Sequence, residues 1–247
     1  MTPLDSLCAT PFHEADAPAR AAVLRRLADT LLYAALAGEA EGQRAELLRL
    51  NGPEGPLALA CDSDDRLAGF FGRPVDYAAM PGRVLARMLA EAGVALLVNP
   101  GAPSEMLIDS EMLSWLVTAL SSGPDAGEDA ARLSPPDAGA AAAFLPALGE
   151  RLADMAGLAQ AAVLTRATWA DGRQGHLLLV QGAEPAHEPA IAKAIGELAA
   201  FLPPLPGGLD VSFAPLTPPE GAPRIVIEAP PAPPPEPKRE KGPPILR

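Results

Sequence analysis

Leu57-Ala58-Leu59-Ala60-Cys61-Asp62-Ser63-Asp64-Asp65-Arg66-Leu67 and, further on, Val94-Ala95-Leu96-Leu97-Val98-Asn99-Pro100-Gly101 are the two runs on which the fold turns. The first reads as a short buried strand, Leu57 to Cys61, followed at once by a helix start. Asp62 and Ser63 suit the capping position, and Asp64 and Asp65 fall where a helix amino end favours negative charge. Leu67, Phe70 and Phe71 form the apolar side of that helix. The second run is apolar without alternation from Val94 to Val98, the pattern of a central strand covered on both faces. Asn99-Pro100-Gly101 is a strong turn signal. Between the runs a helix is expected from Pro81 to Ala92. Val84, Leu85, Met88 and Leu89 form its buried stripe, and Gly93 ends it. After the turn, Met106 to Asp109 returns as a strand. Asp109 or Ser110 then caps a helix carrying Met112, Leu113, Leu116 and Leu120.

Upstream, residues 1–17 show no clear periodicity. A helix begins at Pro18, with Asp16 just before it. Its stripe is Leu24, Leu27 and Leu31, widened by Val23 and Leu32. It reads as a helix packing on its own domain, with partner binding as the alternative. Glu39 to Leu50 is charged and expected to be part helical, and Asn51 to Pro56 breaks the chain. Downstream, residues 121–136 are rich in Ser, Gly, Pro and Asp and read as a linker. A helix follows over Ala140 to Ala156 with Phe144, Leu148 and Leu152 on one stripe; Pro146 either starts or kinks it. Ala161 to Trp169 and His176 to Gln181 flank Asp171-Gly172-Arg173-Gln174-Gly175 as a hairpin. Ile191, Ile195, Leu198 and Leu202 mark another helix, stopped by Pro203-Pro204. Leu209 to Phe213 and Arg224 to Glu228 read as short strands. This order suggests a sheet with helices on one face.

The expected fold class is therefore α/β (α+β): two small mixed sheet-and-helix domains, residues 1–120 and 137–228. The last stretch, 229–247, contains eight prolines and is expected to be a disordered or polyproline II tail, inert or used as a docking peptide. The whole chain of 247 residues has a net charge of −12, with apolar residues at 49% and aromatics at only 4%, so its cores must be aliphatic. The tail holds four basic and two acidic groups, which leaves the preceding residues at −14. A body that acidic repels phosphate backbones, so no nucleic-acid partner is expected. Uncharged runs are too short for a membrane span, and no apolar leader opens the sequence. Cys8, placed in a mobile terminus, and Cys61, in a buried strand, have no CxxC or Cys/His neighbours. The expected setting is the reducing cytoplasm.

The central block resembles the amino-terminal domain of the SseB family, bacterial proteins named for an enhanced serine sensitivity phenotype. The matching features are the strand ending at Cys61, the cap Asp62-Ser63-Asp64-Asp65 with Arg66-Leu67 and Phe70, Tyr77, the Met80-Pro81-Gly82-Arg83 helix start, and Leu96 to Gly101. The helix from Pro18 resembles the one preceding this block in the family. Residues 137–228 resemble the family's carboxy-terminal domain in pattern, through Ala162-Val163-Leu164, Gly175 to Val180 and the Ile191 to Leu198 helix. The resemblance implies a domain pair and a link to serine tolerance. It implies no established reaction or cofactor.

No standard catalytic signature is present, so no catalytic, cofactor-binding or metal-ligating residues are assigned. His13, His176 and His187 sit in unrelated segments: His13 on a mobile terminus, His176 as a partly exposed strand residue, His187 at a helix entry. Asp62, Asp64 and Asp65 are the densest acidic group, and capping is their simplest role. Asn99 follows a central strand, where ligands collect in open α/β sheets; its simplest role is a turn residue. The expectation is a non-enzymatic protein acting through contacts with a protein partner. The candidate surface is Asp62, Asp64 and Asp65 together with Asn99, Pro100 and Gly101. The alternatives are an amino-acid sensor with its ligand at the Asn99 turn or between the domains, and a metal-dependent hydrolase using the acidic group.

Overall fold

The computed structural model describes residues 1–38, 45–52, 55–121 and 132–227. The tail at 229–247 lies outside them, as do Glu228 and most of the linker stretch, 122–131.

The chain opens with a short helix where no periodicity was visible, α1 (Pro3–Leu7). A capping box makes it: Thr2 accepts from the Asp5 amide, and the Asp5 carboxylate accepts from the Thr2 amide. Leu4 and Cys8 are buried, so this terminus is packed and not mobile as expected for Cys8. Helix α2 (Ala17–Asp29) starts as expected, with Asp16 accepting from the Ala19 amide. It stops at Thr30, earlier than the stripe suggested. Leu31 and Leu32 belong instead to strand β1 (Leu31–Ala35), where Leu32 and Ala34 share one face with Leu24 and Leu27 of α2. A run of apolar residues satisfies both periods here, and sheet pairing decides.

Strands β2 (Arg49–Gly52) and β3 (Gly55–Cys61) pair antiparallel. The expected helix over Glu39 to Leu50 is thus corrected at its end: Arg49 and Leu50 are strand, and residues 39–44 lie outside the described set. Helix α3 (Asp64–Phe71) is capped by Ser63, which accepts from the Arg66 amide, and ends on Gly72 at φ 66°. Leu67 is fully buried and Phe71 partly so, but Phe70 faces outward at 46% exposed. Strand β4 (Tyr77–Pro81) leads into α4 (Gly82–Ala92), which ends on Gly93 at φ 63°. Leu85 and Leu89 are buried, each worth about 1.5–3 kcal/mol. Met88 is on the outer side at 43% exposed, because Ala86 takes the buried position beside Leu85. Strands β5 (Ala95–Val98) and β6 (Met106–Ile108) and helix α5 (Ser110–Ser121) complete this half.

The first sheet runs β4-β1-β3-β5-β6, with β2 on β3. Only β3 and β5 are parallel, pairing Leu57–Ala60 with Ala95–Val98. One face buries Leu32, Ala34, Ala60, Leu96 and Val98 under α2, α4 and α5; the other buries Leu59 and Cys61 under Leu67 of α3. β5 is covered on both faces, as its continuous apolar run implies.

In the second half, Arg132–Ser134 of the expected linker forms strand β7 on the end of β8 (Ala161–Thr168). Helix α6 (Ala138–Ala153) begins eight residues before Pro146 and continues past it, so the proline does not start the helix. Strand β9 (Gln174–Gln181) pairs with β8 as the expected hairpin, and the Arg173 guanidinium stacks 3.7 Å over the Trp169 ring in its turn. Helix α7 (Glu188–Ala200) crosses over to β10 (Leu209–Ser212), which lies parallel to β9; β11 (Arg224–Val226) pairs with β8. Helices α6 and α7 cover one face through Phe144, Leu148, Leu152, Ile191, Ile195 and Leu198. The other face carries Val163, Leu177, Leu179 and Trp169 beneath Leu216 and Ala222.

The two halves meet through helices. Asp29 of α2, Arg83 of α4, Arg151 of α6 and Glu197 of α7 form a closed ring of alternating charge. Arg83 bonds Asp29 and both Glu197 oxygens, at 3.1 and 3.2 Å for the latter, and Arg151 reaches Asp29 at 3.0 Å and Glu197 at 3.5 Å. The Glu197 side chain is only 5% exposed. Phe201, just past α7, is buried in the core of the first half. No helix of the described residues is long and apolar enough to cross a membrane.

Candidate functional site

The parallel pair β3 and β5 ends side by side, at Cys61-Asp62 and Val98-Asn99. This is where an open α/β sheet gathers polar groups. Asn99 is fully buried, with φ 47°, the one positive φ of a non-glycine among the described residues. Asparagine tolerates this region better than most residues. Its Oδ1 accepts from the Asp62 amide at 2.9 Å, and its Nδ2 donates to Ser104 Oγ at 2.9 Å. Ser104 is also buried and donates to Asp5 Oδ1 at 2.6 Å. Arg66 closes the network. Its guanidinium bonds both Asp5 oxygens, at 2.5 and 3.2 Å, and Asp62 Oδ1 at 2.9 Å.

The Arg66 guanidinium, beside Asp5, holds the Asp5 carboxyl well below the usual carboxylate range, with Ser104 and the Thr2 amide acting in the same direction against burial. The Asp5 hydrogen bonds also raise Arg66 above its ordinary value. The two carboxylates are therefore taken up by one cation, which ties α1 to the start of α3. Asp62 Oδ2 is buried and without a hydrogen-bond partner.

This geometry divides the expected surface. Asp62, its side chain 3% exposed, and Asn99 point inward and offer nothing to a partner. Asp64 and Asp65 are exposed, Gly101 is exposed with its amide donating to Glu105, and Pro100 is half-buried. The reason is local: Asn99 bridges two strand ends whose backbone groups need a partner, and Arg66, four residues after Asp62, turns that carboxylate inward. Asp5 and Ser104 were missed. The Thr2-to-Asp5 capping-box spacing was the available signal for Asp5; nothing in the sequence marks Ser104.

Among the described residues no group of three or more His, Cys, Asp or Glu is placed to hold a metal ion. Burial pushes the Cys61 thiol up to about 11 and raises Cys8 as well, so both stay protonated. His13 is exposed, its Nε2 3.4 Å from the carboxylate of its neighbour Glu14. His187 precedes α7. His176 is buried at 2%, not partly exposed, because it pairs with Arg166 of β8 on one side and Leu209 of β10 on the other. Both its ring nitrogens lack hydrogen-bond partners.

A second candidate feature lies elsewhere. A groove of about 660 Å³ runs between the start of α2, the start of α5 and the end of α7. Its walls include Pro18, Leu24, Met112, Trp115, Phe201 and Pro203, with Arg20, Asp109 and Glu111 also lining it. Trp115 is 45% exposed and meets Phe201 edge-on, with ring centroids 5.5 Å apart. Leu113 and Leu116 take the buried stripe of α5, which leaves Trp115 outside it. An off-stripe tryptophan was the sequence signal for this groove. Asp109, which accepts from the Met112 amide at 2.7 Å, caps α5.

No match was found among curated proteins or solved structures. A family profile does match: the SseB protein N-terminal domain, over residues 10–115. That span takes in α2 through the first half of α5, with the two strand ends, the α3 cap and the Asn99 turn. Over those residues, the first half of the chain, the protein carries a domain similar to the SseB protein N-terminal domain.

Proposed function

We propose that this protein is a non-enzymatic cytoplasmic member of the family that acts through contacts with another protein, and that the α2–α5–α7 groove is the contact surface. The observation that carries the reading is the half-exposed Trp115 set edge-on against Phe201 in an open apolar groove. Aromatic side chains in such settings give the largest contact energies for their size. The charged groups at the Asn99 turn are consumed internally, which shifts weight from that turn to the groove. Asp64 and Asp65 remain available as an acidic rim for a basic partner. Two buried, unpaired thiols suit a reducing compartment. We further propose that the second half is the family's carboxy-terminal domain, and that any link to serine tolerance runs through the partner.

The test is affinity capture at native expression level, comparing the parent chain with Trp115→Ala and with Asp64→Lys/Asp65→Lys. A stoichiometric partner lost with Trp115→Ala supports the groove. A partner lost only with the charge reversals moves the surface to α3. A partner retained by both variants removes both assignments.

The second reading, an amino-acid or other small-molecule sensor, is favoured by the groove's volume. About 660 Å³ falls within the roughly 300–1,000 Å³ of ligand pockets. A metabolite at about 100 times its dissociation constant would stabilise the chain by about 2.7 kcal/mol. A thermal-shift screen without any shift of that size would dispose of this reading.

A further inference from the structure

We propose that the groove has an occupant within the same molecule: residues 228–247, which dock across Trp115 and Phe201 and compete with an outside partner. The proposal rests on the reading of the groove as a protein-contact surface and adds how access to it is controlled.

Three observations carry it. The first is chemical fit. Pro230-Pro231-Ala232-Pro233-Pro234-Pro235 favours polyproline II, and such segments dock into grooves lined by aromatic rings. The groove presents an exposed indole, a second ring edge-on to it, and prolines at 18 and 203.

The second is charge. Lys238, Arg239 and Lys241 follow the proline run, and Asp109 and Glu111, both exposed, line the groove. The rest of the chain carries the opposite net charge to this segment, so attraction also operates at longer range.

The third is reach. The described chain leaves the fold at Ile227, which is buried in the same apolar cluster as Leu198 of α7; Leu202, packed against that cluster, also lines the groove. Twenty residues in polyproline II span about 60 Å. A folded body of this size has a radius of gyration of about 17 Å, hence a diameter of about 45 Å. The segment can reach the groove from its own attachment point without a second copy.

The experiment uses purified protein and acrylamide quenching of tryptophan fluorescence. Trp169 is 5% exposed and Trp115 45%, so quenching reports on Trp115. The parent chain is compared with a version ending at Ile227. It is also compared with the full chain carrying Lys238→Glu, Arg239→Glu and Lys241→Glu, which keeps the fold and the segment's length. Removing the segment is expected to raise quenching by about twofold, because one face of the indole is uncovered. A synthetic 228–247 peptide should reverse the rise, and the charge-reversed chain should quench like the shortened one at low salt.

Equal quenching in the parent and both variants would overturn the proposal. Quenching that depends on protein concentration, with a dimer mass by sedimentation, would overturn the same-molecule assignment in favour of docking between copies. No partner is present in this assay, so its failure leaves the groove's use by another protein to be judged by affinity capture alone.

Discussion

Asp5 shows how one side chain serves two elements. It completes the cap of α1 through the Thr2 amide and anchors Arg66 at the start of α3. Its carboxyl is held below its ordinary value in the folded chain, so between the unfolded value near 4 and lower pH the unfolded chain takes up a proton that the folded chain does not. The stability it contributes is complete above about pH 4 and is lost as pH falls further. Asp5→Asn is therefore expected to lower stability at pH 7 and to flatten the fall below about pH 4. Urea midpoints across pH, taken as the difference from the parent chain, measure both effects. The two cysteines make a second residue-scale prediction. Buried and held protonated, Cys8 and Cys61 should be alkylated only after denaturation. Fast modification of the native chain by a thiol reagent would contradict this burial.

The packing of elements turns on small residues as much as on large ones. Gly82, the first residue of α4, lies so close to the Leu27 carbonyl of α2 that a Cβ has no room. Gly82→Ala is expected to force α2 and α4 apart and to cost about 1–3 kcal/mol, read as a lower urea midpoint. Pro146 has the opposite sign. It lies exposed inside α6, where proline removes a backbone hydrogen bond and crowds the preceding turn. Phe144, Leu148 and Leu152 hold the helix against the second sheet regardless. Pro146→Ala is expected to stabilise the chain by roughly 1–3 kcal/mol, and an unchanged midpoint would show that packing already absorbs the defect.

At the scale of the molecule, the ring of Asp29, Arg83, Arg151 and Glu197 and the insertion of Phe201 join the halves. Glu197 is the buried member. Glu197→Ala leaves two guanidiniums sharing one half-exposed carboxylate. The expected cost is about 3 kcal/mol, the scale for breaking a buried pair. The halves should also uncouple. Calorimetry is expected to show two thermal transitions in place of one, and a single unshifted transition would deny the ring its role. The groove sits on this same junction, with α2 and α5 from one half and Phe201 to Pro203 from the other. Uncoupling should therefore also expose Trp115 further, a change that fluorescence reads directly.

The sequence by itself determined the elements that obey one strong local rule. The Asp62–Asp65 cap, the Gly93 stop, the unbroken apolar strand at 94–98 and the hairpin turn between β8 and β9 are settled by neighbours in the chain. So is the match of residues 10–115 to the SseB protein N-terminal domain, because its motifs lie in those same local runs. Tertiary structure decided whatever satisfied two rules at once or depended on distant partners. Leu31 and Leu32 fit a helix stripe and a strand equally, and pairing with Pro81 and Met80 of β4 chose the strand. Asn99 and Asp62 read as surface groups until Ser104, Asp5 and Arg66, scattered along the chain, converged on them. Trp115 on α5 and Phe201 just past α7 become a groove only where the halves meet. Local signals fix dihedral preference and amphipathic faces; burial, charge pairing and open surface are properties of contacts between residues far apart in sequence, and those exist only once the chain has folded.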